Sequence, residues 1–447
     1  MPLQDVTFNP KFERSGQLYA RAKELFPFGT QLFSRRPELG PYGQAPVYFE
    51  RAKDAHFWDV DGNEFIDTAM AIGPVSLGYC YDAVDQAVKA QIDRGILGSV
   101  NHALEIDMAQ ALADMAPCAE MIKFCKSGGT ADAIAVRIAR GYTGRDTVLF
   151  CGYHGWHDWY LAANLSADTH LNQHLMPGIC PKGVPAALSG TAIPFKYNNL
   201  DALSATLQRH RGKVAAIIME ATRFQHPEPG YLAGVRQLAD EHRCLLIFDE
   251  VVTGFRLAPG GAQEYYGVTP DLATFGKAIA NGYPLAAVAG RREIMASQAD
   301  NFISSSYWSD TLSLAAGIAT LKEIREKPVM ATLNAVGQKL LDGYAGLARR
   351  HGLRIGITGH PCPFSLTFDY GDSTSKVQTL FMQEMIARGI YVSSVVYTCF
   401  THTSEDIDRI LAAADETFAI LAQALERNEL DSFLKCPPRQ TGLARLV

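Results

Sequence analysis

Lys277 sits in "TFGKAIANGYP", residues 274–284, among small and apolar neighbours and directly after a glycine. Burying an unpaired ammonium is costly, so a lysine in such company either snorkels outward or is held inside for its amine. Asp249, 28 residues earlier, closes the apolar run "CLLIFDE". Alone it reads as a solvated strand tip or a helix cap. Paired with a second apolar run, "LATFG", that leads into Lys277, it places an acid and an amine at neighbouring strand ends. Ligands of open α/β sheets bind beyond such strand ends. A third element is "KFCKSGGTADAIAVRIAR", residues 123–140, in which Ser127, Gly128 and Gly129 precede a helical pattern. Glycines there let backbone N–H groups approach an anion at the positive end of a helix, which makes a phosphate cradle. The stretch matches neither the P-loop nor the dinucleotide fingerprint, and a plain N-cap is its simpler reading. Finally, "LFCGYHGWHDWY", residues 149–160, sets Tyr153 and His154 between glycines after an apolar run. The Tyr153 ring could stack on a flat ligand or pack as ordinary core.

The elements that must position these residues alternate in type. "VAAIIME" (214–220) and "CLLIFDE" (244–250) are continuous apolar runs, as expected of strands covered on both faces, and "GYLAGVRQLADEHR" between them has helical periodicity. Strand, helix, strand at that spacing predicts a βαβ unit in a doubly wound, mainly parallel α/β domain. Before it, "YFERAKDAHFWDVDGNEFID" reads as one β-hairpin turning at Asp61-Gly62-Asn63. After it come helical runs at 313–327 and 329–351, then "FSLTFDY", "SKVQTLFMQEMIARG", "IYVSS" and a last helix from Ser404, the pattern of a smaller α+β domain. The expected division is an N-terminal segment and hairpin over 1–65 belonging to the small domain, a large domain over 66–328, and the rest of the small domain over 329–447.

Composition narrows the function classes. With 447 residues, 47% hydrophobic and 20% charged, the chain can bury a core large enough for two domains. A net charge of −6 and no basic run give no footprint for nucleic acid. The N-terminus lacks a long apolar run, so no membrane span is expected and the cytoplasm is the default location. Nine scattered cysteines without a CxxC pair read as reduced packing residues.

Taken together, these motifs resemble class III aminotransferases of the fold-type I pyridoxal-phosphate family, nearest the glutamate-1-semialdehyde 2,1-aminomutase branch, over about residues 20–425. "IFDEVVTGFR" implies that Asp249 pairs with the pyridine nitrogen of pyridoxal 5'-phosphate, and "FGKAIANGYP" that Lys277 carries the cofactor covalently. "GYHG" implies Tyr153 stacked on the ring with His154 beside it, "SGG" at 127–129 the phosphate loop, and "MEATRF" a cofactor-facing Glu220. In "SSYWSDTLSLAAG", Ser306 stands where the family has a threonine that reaches a phosphate across a homodimer interface, while Asp310-Thr311 replaces Asn-Pro. After the lysine, Ala280-Asn281-Gly282-Tyr283 replaces the consecutive glycines of the aminomutase pattern, which favours transfer over mutase action. Arg35 falls where the aminomutase supplies an arginine to a substrate carboxylate. With Trp156 and Tyr307 it completes the candidate substrate residues.

The resemblance implies an amino donor, a carbonyl acceptor and homodimers with shared sites. Six aromatics, Phe33, Tyr42, Trp156, Trp159, Tyr307 and Trp308, suggest a bulky polar acceptor such as a sugar. The competing readings are an aminomutase or other isomerase, and a catalytically silent binding protein. No metal is expected.

Overall fold

A computed structural model describes residues 6–441 apart from Leu175 and Arg223. The chain divides into two compact units, one of Met1–Ile72, Leu77–Tyr81 and Ala331–Val447, the other of Gly73–Ser76 and Asp82–Met330. In chain order the first unit begins the sheet count with β1 (Phe49–Lys53), β2 (His56–Asp59) and β3 (Glu64–Asp67). The second unit carries β4 (Met121–Cys125), β5 (Thr147–Cys151), β6 (Ala192–Pro194), β7 (Val214–Met219), β8 (Leu245–Asp249), β9 (Leu272–Phe275) and β10 (Ala286–Gly290). The first unit resumes with β11 (Ile355–Gly359), β12 (Phe364–Phe368), β13 (Ile390–Tyr391) and β14 (Val395–Val396).

The larger sheet has the order β4-β10-β9-β8-β7-β5-β6. Neighbours run parallel from β9 through β6, and β10 lies antiparallel between β4 and β9. The continuous apolar runs split by alternation. Ala216, Ile218 and Ile247 enter one buried cluster, whereas Ile217, Met219, Leu246 and Phe248 enter another. A strand packed on both faces needs apolar residues at every position, and each fully buried aliphatic side chain contributes about 1.5–3 kcal/mol. The helix Tyr231–Glu241 joins β7 to β8, which pair in parallel.

In the smaller unit β1-β2-β3-β13 form one sheet and β11-β12-β14 another. The single hairpin expected at 49–67 is two hairpins. Asp54, at φ +54, breaks the first run into β1 and β2, and Gly62, at φ +87, turns the second. Asp59 Oδ1 stabilises that second turn by accepting from Asp61 N at 3.0 Å and Asn63 N at 2.7 Å. Helices Val329–Arg350, Thr374–Ala387 and Ser404–Glu426 share a core built around Leu340, Tyr344, Phe364, Phe381 and Phe418. No helix among the described residues is long and apolar enough to cross a membrane. All nine cysteines are free; six are buried, Cys80 and Cys180 are exposed and Cys436 is intermediate.

Candidate active site

The site is assembled at strand ends of the larger unit. Past β4, Ser127 N-caps the helix Gly128–Thr143, its side chain accepting from Thr130 N at 3.4 Å and lying 2.8 Å from the Thr130 hydroxyl. The backbone is packed tightly around this helix start. A Cβ on Gly128 would come within 2.8 Å of the Val251 methyls, and one on Gly129 within 3.1 Å of Gly155 Cα. Gly155, at φ +89, meets Gly129 from the other side. The glycines therefore keep side chains out of the space in front of a sixteen-residue helix, whose first N–H groups have no intrahelical acceptor and carry its positive dipole end. Lys126, just before the cap, pairs with Asp310, and burial pulls its ammonium down to about 8. Asp310 in turn caps the helix Thr311–Glu326 by accepting from Ser313 N at 3.0 Å, while the Thr311 hydroxyl donates to Gly95 O at 2.8 Å. The Asp310-Thr311 departure thus has a local structural use.

Asp249 ends β8 and is 4% exposed. Its Oδ1 accepts from Val251 N at 3.0 Å, and its Oδ2 lies 2.8 Å from His154 Nδ1. His154, fully buried beyond the end of β5, has its Nε2 3.3 Å from the Cys151 carbonyl. Gly152 lets this turn pass close to a carboxylate: at φ +117, a Cβ there would sit 2.6 Å from Glu220 Oε2. Glu220, just past β7, accepts from Tyr153 N at 3.1 Å. β9 pairs with β8 and runs through Gly276, 3.6 Å from Gly128 Cα by the position of an added Cβ, into Lys277. Lys277 is half-buried and takes φ +43, a left-handed conformation that a non-glycine residue holds only where its surroundings impose it.

Ser127, Gly128, Gly129, Tyr153, His154, Glu220, Asp249 and Lys277 thus share one unit and adjoining strand ends. Tyr153 is 37% exposed, with the Tyr160 ring edge-on to it at 6.2 Å. Trp156 is exposed and stacks on His157 at 4.8 Å. Ser306 and Tyr307 are exposed on the short helix Ser306–Ser309. Arg35 is exposed and belongs to the other unit. Its neighbour Arg36 is the buried one, with its guanidinium 5.4 and 5.2 Å from the Phe28 and Phe33 ring centres. The expected aromatic group is dispersed: Trp159 is packed in the core of the larger unit and Tyr42 in that of the smaller.

Two contributors, Asp132 and His157, were not singled out from the sequence. Asp132 is 2% exposed and accepts from the Thr274 hydroxyl at 2.6 Å; its carboxylate, the Asp249 carboxylate and the His154 ring lie within 4.8 Å of one another. His157 Nε2 lies 3.5 Å from the Thr130 hydroxyl. An acid on the apolar face of a helix, as Asp132 is in "TADAIAVRIA", was the available signal.

Comparison with known proteins agrees along most of the chain. Residues 40–398 match the model of the family described as Aminotransferase class-III. The chain is 35% identical to a 3-aminobutyryl-CoA aminotransferase of Cloacimonas acidaminovorans, covering 93% of this chain and 99% of that protein. It is 38% identical to a glutamate-1-semialdehyde 2,1-aminomutase of Methanothrix thermoacetophila, covering 91% and 96%. Among solved structures, the FumI protein of Sphingopyxis sp. MTA144, determined with PLP, superposes with a TM-score of 0.84 at 29% identity, covering 95% and 99% of the two chains. The chain belongs to the class III aminotransferases, a pyridoxal-phosphate-dependent family with the fold-type I architecture.

Proposed function

We propose that this chain moves an amino group from an amino donor to the carbonyl of a small acceptor, with pyridoxal 5'-phosphate held covalently by Lys277. The observation that carries the proposal is the meeting of β8 and β9. They set a buried, hydrogen-bonded acid at the end of one strand and a lysine just past the end of its neighbour, beside a glycine-walled helix N-terminus. The residues fit the cofactor's parts. The backbone N–H groups of Gly128 and Gly129 and the helix dipole suit a phosphate dianion. Asp249 suits a protonated ring nitrogen, and the Tyr153 ring suits the flat face.

When bound, the cofactor supplies an electron sink for the carbon that carries the substrate's amine. Asp249 keeps the ring nitrogen protonated, and His154 holds Asp249 in place. The Lys277 amine would hold the cofactor, and as a free base it would accept the proton of the substrate carbon and later return it. Glu220, held by Tyr153 N, would border the ring edge. Release of the first keto product before the acceptor binds makes the kinetics ping-pong. We assign the working unit as a homodimer in which Ser306 reaches a neighbouring copy's phosphate. Phe302, Tyr307 and Val100, exposed by 86%, 67% and 85% on the larger unit, support a covered surface there. Of the six aromatics, the narrower reading of a sugar-type acceptor keeps the exposed Trp156 and Tyr307 in its support.

The similarity to aminomutases favours a second reading, in which the amino group returns to another carbon of the same molecule. Borohydride reduction followed by peptide mapping should find the cofactor on Lys277. Lys277→Ala should lose covalent retention and slow turnover by about 10²–10⁴-fold. A reduced adduct on another lysine rejects the assignment. A donor alone should convert the bound cofactor's visible absorbance and release a keto product; labelled nitrogen reappearing in the starting skeleton without an acceptor establishes the mutase instead.

A further inference from the structure

Two acids and one imidazole are buried together in this unit, and their hydrogen bonds fix where the protons sit. His154 Nε2 lies 3.3 Å from the Cys151 carbonyl, which can only accept, so Nε2 carries a proton. His154 Nδ1 lies 2.8 Å from Asp249 Oδ2, and that line needs a second proton. Asp249 Oδ1 accepts from Val251 N at 3.0 Å. Nδ1 and Oδ2 therefore share one proton, and an ionised second acid beside that pair would add a further buried negative charge. That second acid is Asp132, 2% exposed, with Oδ1 accepting from the Thr274 hydroxyl at 2.6 Å. Its carboxyl lies within 4.8 Å of the Asp249 carboxylate. Glu220 also acts on it, in the same direction as Asp249. Burial first, and then the charge of Asp249, hold the Asp132 carboxyl well above the usual carboxylate range.

We propose that Asp132 is a positioning residue that stays a neutral acid, accepting from Thr274 and donating its proton to Asp249, so that Asp249 keeps both its negative charge and its orientation toward the ring nitrogen. A lysine or arginine at this position would orient Asp249 equally well, but would place a further positive charge beside it and weaken its hold on the ring proton. A neutral donor fixes the carboxylate and leaves the charge intact. The proposal rests on the reading of Asp249 as the ring nitrogen's partner, and the experiment separates the two.

Infrared difference spectra of the cofactor-free protein, wild type against Asp132→Asn, should show the C=O stretch of a protonated carboxyl in the wild type that the variant lacks. Absence of that band overturns the proposal whatever the cofactor does. In the holoenzyme, Asp132→Asn retains a donor toward Asp249 and an acceptor for Thr274. Its cofactor affinity should stay within about threefold of wild type, and the pH dependence of the bound cofactor's absorbance should be unchanged. Asp132→Ala should bind cofactor about tenfold or more weakly and shift that pH dependence. An alanine variant equal to wild type, or an asparagine variant as poor as alanine, rejects the positioning role. If Asp132→Ala fails to fold, the asparagine variant and the infrared band decide alone. Should Asp249→Ala leave cofactor affinity and spectrum untouched, the reading of Asp249 falls while the infrared result stands on its own.

Discussion

Each unit of this chain contains a histidine locked against an aspartate at nearly the same distance, and the two pairs do different things. In the larger unit His154 and Asp249 meet at 2.8 Å with no solvent access to the ring. In the smaller unit His56 meets Asp406 at 2.9 Å and Glu64 at 2.8 Å, with its side chain 18% exposed. Asp406 is also occupied by a helix start: Thr403 N and Oγ1 donate to its Oδ2 at 2.9 and 2.8 Å, and Asp406 N donates back to Thr403 Oγ1 at 3.1 Å. That is a capping box for the helix Ser404–Glu426. Asp249 caps nothing; it stands at a strand end beside the strand that leads to Lys277. The contact alone does not define a role. The backbone that the acid serves, and the space it faces, do.

The sharpest way to break the comparison is to remove each acid's charge. Asp249→Asn should cut turnover by about 10²–10³-fold with a small change in melting temperature. Asp406→Asn should leave turnover within about twofold and destabilise the protein by about 1–2 kcal/mol, measured by denaturant titration. Equal losses of turnover would erase the distinction.

A smaller effect concerns pH. The partners of His56, Asp406 first, raise its pKa above 6.5, so its stabilisation is complete below 6.5 and is lost as pH rises through the raised folded-state value. Hydrogen bonds from His56 and Thr403 outweigh burial and depress Asp406 below 3.8, so its contribution is complete above 3.8 and is lost as pH falls through the depressed value. The stability difference between wild type and His56→Ala should therefore be greatest between 3.8 and 6.5 and shrink at alkaline pH. Partial solvent access to the His56 ring limits it to about 1 kcal/mol. A difference that grows above neutrality contradicts the assignment. The smallest effect belongs to the cap of the other unit's helix: Ser127→Ala should cost about 1 kcal/mol and weaken cofactor retention, read as a faster loss of cofactor on dialysis.

Much of the larger unit was legible because continuous apolar runs such as "VAAIIME" have few alternatives to a strand buried on both faces. The same runs exposed Asp249 and Lys277 as exceptions at their ends. Asp132 was hidden by the opposite circumstance. It lies within a helical pattern whose apolar periodicity dominates, and its partners, Asp249 and Thr274, come from strands far along the chain. The aromatic grouping misled because sequence proximity does not reveal direction. Trp156 faces outward, while Trp159, three residues on, lies nearly parallel to the His154 ring at 6.2 Å in the core. Arg35 and Arg36 show the same limit: the pattern locates the pair, and packing between Phe28 and Phe33 decides which one is buried.

The position of β10 has a consequence for how the chain is built. Among the described strands, β4 joins the larger sheet through β10, which the ribosome makes last of all the strands in that sheet. The edge of the sheet that leads into the Ser127 loop therefore waits, as a nascent segment, for a strand synthesised long after it. Long-range antiparallel insertion of this kind is a slow closure step. Pairing of that edge strand therefore requires the chain as far as residue 290.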